Sequence, residues 1–252
     1  MDSIDILGCR LDLLDQDEAT EAILRYAREG DVAQVVTLGT EMVVYAQHDD
    51  AFRAVVNASA LSLCDTVGVL AVARRRGAAL RERVTGVDLM EKLCQRAAKE
   101  GLPVYLFGGA EGVAADAAAI LECSFPGLIV AGTRNGFFTS EEEPAIVDSI
   151  RSSGARIIFV GLGSPRQEMW LARNLRATGC GAGIGIGGSF DVISGRVKRA
   201  PMIWRELHLE WLYRLIREPR RVRRQLALPY FVWLVALDRL GVRRQKGIDE
   251  QT

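Results

Sequence analysis

The order of apolar segments predicts an α/β fold, with a mostly parallel sheet flanked by helices on both faces. Three observations predict it. Short runs rich in Val, Ile and Leu recur between residues 33 and 187, and runs apolar throughout belong to strands covered on both faces. Longer segments of helical period lie between them, and strand, helix, strand in succession makes a parallel crossover. The 252 residues are 49% hydrophobic, enough to bury the core that such a layered sheet requires. The pattern is Rossmann-like. After Arg199-Ala200-Pro201 the alternation stops and the composition changes. The chain therefore divides into an α/β domain, 1–198, and a basic amphipathic helical appendage, 199–252.

In chain order, "IDILGCRLDLL" is expected to form a hairpin ahead of the first helix. Strands follow at 33–38 (AQVVTL), 60–64 (ALSLC), 103–108 (PVYLFG), 128–132 (LIVAG) and 156–161 (RIIFVG), each a short aliphatic run. The last strand, 181–187 (GAGIGIG), alternates Gly with Ile, which suits close packing against a neighbour. Helices are expected at 41–57, 87–100, 111–123, 141–153 and 166–178, where apolar residues recur at helical spacing.

Composition narrows the classes of function. A formal net charge of zero gives the whole molecule no electrostatic attraction for nucleic acid. Five cysteines, an odd number without C-x-x-C spacing, argue against a disulfide framework and for a reducing cytosol. The N-terminus has no basic segment followed by an apolar run, so no signal peptide is expected. The longest apolar stretch, "ALPYFVWLVAL", falls far short of the roughly 20 residues a spanning helix needs.

In open sheets of this kind ligands bind at the carboxyl ends of the strands, so candidate residues lie just after each apolar run. Thr37, Gly39 and Thr40 follow the first strand, and Thr40 is placed to cap the next helix. Asp65 ends the second strand, with Gly68 allowing a close turn. It is either a helix cap or a carboxylate that takes a proton from a hydroxyl nucleophile. Arg83, in "LRERVTGVDLM", suits an anionic ligand or an ion pair with Glu82 or Asp88. "VGLGSPRQEMW" places Gly161, Gly163 and Pro165 in a turn before a helix whose free N–H groups favour anions. Gln167 there offers a donor and an acceptor to a sugar or base. Gly108 and Gly109, in "GGAEG", repeat the glycine-rich strand end, and two such turns on one edge suggest a nucleotide site.

Other motifs carry less. "GIGIGG" satisfies G-x-G-x-x-G, yet it lies inside a late strand, whereas a dinucleotide fingerprint opens the first strand–helix unit. Asp191, just beyond it, is a candidate ligand contact. Asp15-Gln16-Asp17 is a D-x-D at a helix start, where capping is the simpler role. The two histidines, His48 and His208, stand in unrelated contexts, and no metal site is readable.

Between Arg199 and Arg224 arginines outnumber acids eight to three, an asymmetry hidden by the neutral total. Trp204, Leu207, Trp211 and Leu215 recur at helical spacing, with arginines on the flanks. A basic helix with Trp on its apolar edge suits a lipid headgroup layer, and a core-packed helix with a solvated basic face is an alternative; nucleic-acid binding is disfavoured, because the aromatics sit with aliphatics rather than interleaving with the basic run.

Taken together, "TLGTEMV", "CDTVGV", "ERVTGVDL", "LFGG", "VGLGSPRQE", "GIGGSFDVISGRVKRAP" and "LEWLYRLIREPRR" resemble the WecG/TagA/CpsF family of bacterial glycosyltransferases, in order and over nearly the whole chain. The resemblance implies a cytoplasmic enzyme, peripheral on the inner face of the cell membrane. Such an enzyme moves a hexose or N-acetylhexosamine, of N-acetylmannosamine type, from a UDP-sugar to a polyprenyl-diphosphate-linked sugar. Transfer inverts the anomeric centre, with no metal or other cofactor. Asp65 matches the family's general base, and Thr37, Arg83 and Gln167 match other active-site positions. The C-terminal arm resembles a membrane-docking appendage whose Arg214, Arg221 and Arg224 would close over the diphosphate. Partners so implied are the UDP-sugar, the lipid-linked acceptor and the membrane surface; nucleic acid is not among them, and homo-oligomers are left open.

The chain departs from much of the family in having Gly39-Thr40 where Asn-Pro is common and Cys64-Asp65-Thr66 where "PDG" is common. A glucosyl or uronosyl transferase of exopolysaccharide synthesis and a non-catalytic nucleotide-binding adaptor at the membrane are therefore alternatives. A dinucleotide-binding oxidoreductase is disfavoured, because the first strand–helix turn has a single glycine.

Overall fold

The computed structural model describes residues 2–201, 204, 212–213 and 227–240. Arg214, Arg221 and Arg224, and most of the 199–252 appendage, lie outside the described residues.

Two short strands, β1 (Ser3–Ile6) and β2 (Cys9–Asp12), form the expected antiparallel hairpin. The main sheet contains β3 (Ala33–Leu38), β4 (Leu61–Cys64), β5 (Val104–Gly108), β6 (Val130–Arg134), β7 (Ile157–Gly161) and β8 (Ala182–Gly185). Its order is β4-β3-β8-β7-β5-β6, and every pairing is parallel. The α/β, Rossmann-like expectation holds.

The two-residue side-chain period of each strand divides the core between the faces. Val104, Leu106, Ile157 and Phe159 point to one side, where they pack with α1 (Gln16–Glu29), α5 (Gly86–Glu100) and α6 (Val113–Ser124). Their neighbours Tyr105, Phe107, Ile158 and Val160 point to the other, against α7 (Glu143–Ser152) and α8 (Arg166–Thr178). On that same face Val36, Leu38 and Cys64 share a cluster with the hairpin, α2 (Thr40–Tyr45), α3 (Asp50–Ala58) and α4 (Val67–Arg75). Two further helices are α9 (Ser189–Ile193) and α10 (Ala227–Arg239). Helix α10 docks on α2, burying Phe231 and Leu234, and Arg76 reaches Asp238 at its far end.

The glycines of β8 act by close packing. A Cβ at Gly183 would lie 2.6 Å from Leu171, and one at Gly185 would lie 2.7 Å from Nε2 of Gln167. Helix α8 is thereby pressed directly onto the strand.

Some elements differ from expectation. The helix expected over 41–57 is two helices, because Asp49 accepts the N–H of Phe52 (2.8 Å) and starts α3 anew. Gly68 belongs to α4 rather than to a turn; a Cβ there would meet Thr40 Oγ1 at 2.8 Å and Leu228 at 3.5 Å. Thr40 does not cap α2, since Gly39 holds the cap position and the Thr40 N–H is taken by Thr66 Oγ1 at 3.1 Å. Asp15 does cap α1, with Glu18 closing a capping box, and Asp17 pairs with Lys92. The D-x-D is spent on structure. All five cysteines are free.

Candidate active site

A cleft of about 470 Å³ opens at the carboxyl ends of β3, β4 and β8. Thr37, Asp65, Arg83, Gly163 and Gln167 all line it, together with Thr40, Thr66, Gly86, the 186–189 turn, Arg199, Ala227 and Leu228. The structure brings these five candidates together from four separate stretches of sequence.

Asp65 is the centre of the arrangement. It leaves the end of β4, its own N–H donating to Leu38 O at 3.2 Å. The following segment runs alongside, with Val84 N–H donating to Cys64 O at 2.7 Å. This return brings the start of α5 beneath the carboxylate. Thr85 caps that helix by accepting the Asp88 N–H at 3.3 Å, and the Gly86 N–H donates to Asp65 Oδ1 at 3.3 Å. The first turn of a helix offers unpaired N–H groups and a positive dipole end, so it orients a carboxylate there. The second oxygen, Oδ2, lies on the Gly39 side, 3.9 Å from where a Cβ at Gly39 would stand.

Arg83 crosses the same strand end, its Nη1 donating to the Asp65 carbonyl at 3.5 Å. Its guanidinium is half-buried in the cleft wall rather than paired with Glu82, which takes the Gln16 N–H at 3.2 Å. Arg199 forms another part of the wall and pairs with Asp88 and with Glu91, the latter at 3.8 Å. Burial pushes the thiol of Cys64 up to about 12, aided by the neighbouring Asp65 carboxylate. The Cys64 thiol therefore stays protonated at neutral pH and is no competing base.

The other two candidates in the cleft are held by internal bonds. Thr37 Oγ1 donates to Gly185 O at 3.0 Å, tying β3 to β8. Gln167 is 3% exposed; its Oε1 accepts the Gly187 N–H at 3.0 Å and its Nε2 donates to Glu168 Oε1 at 2.7 Å. Much of the hydrogen-bonding capacity that sequence reasoning offered to a sugar is thus used inside the protein. The turn that carries it bends at Gly163 (φ 76°) and passes through a cis Ser164–Pro165 bond.

Gly108, Gly109 and Asp191 are not among the lining residues. The two glycines stitch the ends of β5 and β7: Gly109 N–H donates to Gly161 O at 3.0 Å, and Gly136 N–H donates to Gly109 O at 2.9 Å. Asp191 stands in α9, where its carbonyl accepts the Val197 N–H at 2.8 Å.

Three contributors were not singled out from the sequence. Arg199 was visible only as one of eight arginines near the appendage, and its place depends on two acids on a distant helix, Asp88 and Glu91. Thr66 supports Thr40 through a 2.9 Å hydroxyl contact. Leu228, from α10, closes the side of the cleft. Among the described residues no group of three or more His, Cys, Asp or Glu is arranged to hold a metal ion, and no helix is long and apolar enough to cross a membrane.

A protein-family model described as Glycosyl transferase WecG/TagA/CpsF family matches residues 4–245, a span that contains every residue of this cleft. With a carboxylate anchored on a helix N-terminus and a guanidinium beside it at the ligand-binding edge of a Rossmann-like sheet, the chain belongs to the WecG/TagA/CpsF family of glycosyltransferases, which act in cell-surface polysaccharide synthesis and join a nucleotide-sugar donor to a sugar acceptor.

Proposed function

We propose that the chain is an inverting, metal-independent transferase that moves a hexose or N-acetylhexosamine, of N-acetylmannosamine type, from a UDP-sugar to a polyprenyl-diphosphate-linked sugar. The observation that carries this reading is the placement of Asp65: a carboxylate at the end of β4 that lines the cleft, with Oδ1 held by Gly86 N–H at 3.3 Å, whereas Glu41, the other acid on the wall, lies in the first turn of α2. An inverting transfer requires one base. Asp65 takes the proton of the acceptor hydroxyl, the oxygen forms the new bond to the anomeric carbon, and UDP leaves from the opposite face with the electrons of the broken bond. Negative charge gathers on the leaving diphosphate, and Arg83 together with helix N-termini at the cleft supplies the opposing charge. A lipid-linked acceptor calls for an enzyme at the membrane surface. Support for that placement comes from α10, which walls the cleft with Ala227 and Leu228 while leaving Val232 and Trp233 60% and 53% exposed.

The test is UDP release from a panel of UDP-sugars with a short-chain polyprenyl-diphosphate-sugar acceptor, in EDTA. One donor is expected to give acceptor-dependent release, and Asp65→Asn to lower it by about 10²- to 10⁴-fold. UDP binding by calorimetry should stay within a few-fold. Wild-type turnover in that variant would remove Asp65 as the base. A wild-type protein with neither turnover nor UDP binding would remove the UDP-sugar reading altogether.

A further inference from the structure

Two acids are fully buried among the described residues, Asp12 at 4% exposure and Glu168 at 1%. Asp12 is accounted for: it accepts the Ser62 N–H at 2.7 Å and pairs with Arg10 at 3.3 Å. Glu168 has no cation beside it among the described residues, and its Oε2 is buried without a hydrogen-bond partner of good geometry. Burying a carboxyl under these conditions is costly, and an apolar side chain would fill the same space without that cost. With Ser164 also beside it, its carboxyl accepts a bond from Gln167 Nε2, 2.7 Å from Oε1.

That bond decides the orientation of the neighbouring amide. Gln167 stands between a group that can only donate, the Gly187 N–H, and the Glu168 oxygen that accepts. Flipping the amide by 180° would set N–H against N–H at Gly187 and oxygen against oxygen at Glu168. A separate feature shows that space is reserved for the pair. A Cβ at residue 185 would lie 2.7 Å from Gln167 Nε2 and 3.1 Å from Glu168 Oε1, and β8 has Gly there. In the observed orientation Oε1 braces Gly187, which has φ 55° and opens the 187–189 turn of the cleft. One N–H of the amide goes to Glu168; the second has no acceptor among the described residues.

We infer that Glu168 is a positioning residue of the transferase site, locking the Gln167 amide so that it braces the 187–189 turn and presents an N–H, not a carbonyl, to an oxygen of the bound sugar nucleotide. The identity of the ligand rests on the reading given under Proposed function; the bracing of the turn does not.

The experiment compares wild type, Glu168→Gln and Glu168→Met. Gln keeps an oxygen acceptor in the same place, whereas Met keeps the volume and loses the acceptor. Amide hydrogen exchange over residues 184–190, measured without ligand, should rise about tenfold in Glu168→Met and stay within about threefold of wild type in Glu168→Gln. UDP affinity and the KM for the donor should weaken about tenfold in the Met variant, with kcat changed less, and recover in the Gln variant. Unchanged exchange in Glu168→Met overturns the positioning role whatever the substrate is. Faster exchange with unchanged UDP affinity, in a protein whose wild type binds UDP, overturns the link to the ligand. A Gln variant as impaired as the Met variant also overturns the proposal. Should the Met variant not fold, exchange in Glu168→Gln decides alone, a rise beyond threefold counting against. If wild type fails to bind UDP, the reading under Proposed function falls while the exchange comparison still decides the role of Glu168.

Discussion

Removing the Phe231 side chain should release α10 from the body of the protein while leaving the sheet intact. Helix α10 buries two side chains, Phe231 at 1% exposure and Leu234 at 2%. A fully buried residue of this kind is worth about 1.5 to 3 kcal/mol, so the apolar docking energy is about 3 to 6 kcal/mol. The Arg76–Asp238 pair is partly solvated and adds less than about 1 kcal/mol. Phe231→Ala forfeits about 3 to 5 kcal/mol, most of that total, and lowers the docked-to-undocked ratio by about two to nearly four orders of magnitude. None of the strand residues of the main sheet depends on α10 for its ladder bonds. Hydrogen exchange should therefore accelerate over 227–239 while β3, β7 and β8 remain protected. Acceptor-dependent transfer should fall, because Ala227 and Leu228 leave the cleft wall. A variant in which α10 stays protected, or in which the sheet loses protection to the same degree as the helix, would refute this accounting.

Two further outcomes follow from particular atoms. Gly108→Ala places a Cβ 2.4 Å from the Gly161 carbonyl at a residue with φ 135°, so it should cost at least about 2 kcal/mol; an unchanged urea midpoint would contradict the packing of the β5 and β7 ends. Burial raises the pKa of Glu168 above its ordinary 4.5, opposed by hydrogen bonds from Gln167 and Ser164. The folded protein thus holds that proton more tightly than the unfolded chain. This contribution to stability is complete below about 4.5 and is lost as pH rises through the elevated folded value. Stability of wild type relative to Glu168→Gln should therefore decline from pH 4.5 upward in urea denaturation, and parallel curves would show that burial does not perturb the group.

The sheet was legible because its strands are covered on both faces, which leaves a run such as "IIFV" (157–160) apolar throughout. The break between α2 and α3 was not, because Val, Tyr and Ala continue the helical pattern up to a cap supplied by Asp49. Helix α4 was missed for a related reason: Gly68 reads as a turn residue until the neighbours it admits, Thr40 and Leu228, are known. At the site, Thr37, Asp65, Arg83, Gly163 and Gln167 could be found because parallel strands deliver their carboxyl ends to one edge. The direction in which Gln167 spends its amide could not, since it is set by Gly187 across the fold and by the burial of Glu168. Nor could the sequence show that Arg199 belongs to the cleft, for its anchors lie on α5.

Helix α10 has two clients. Its first residues touch the cleft, and a few residues on Val232 and Trp233 face outward. If an external surface gripping that outward face favours the docked helix, and a ligand in the cleft favours it too, the two bindings share one conformational equilibrium. Thermodynamic reciprocity then fixes their relation: the factor by which surface attachment tightens ligand binding equals the factor by which ligand tightens attachment. Such a chain would reside longest on a surface while loaded and let go most readily once empty.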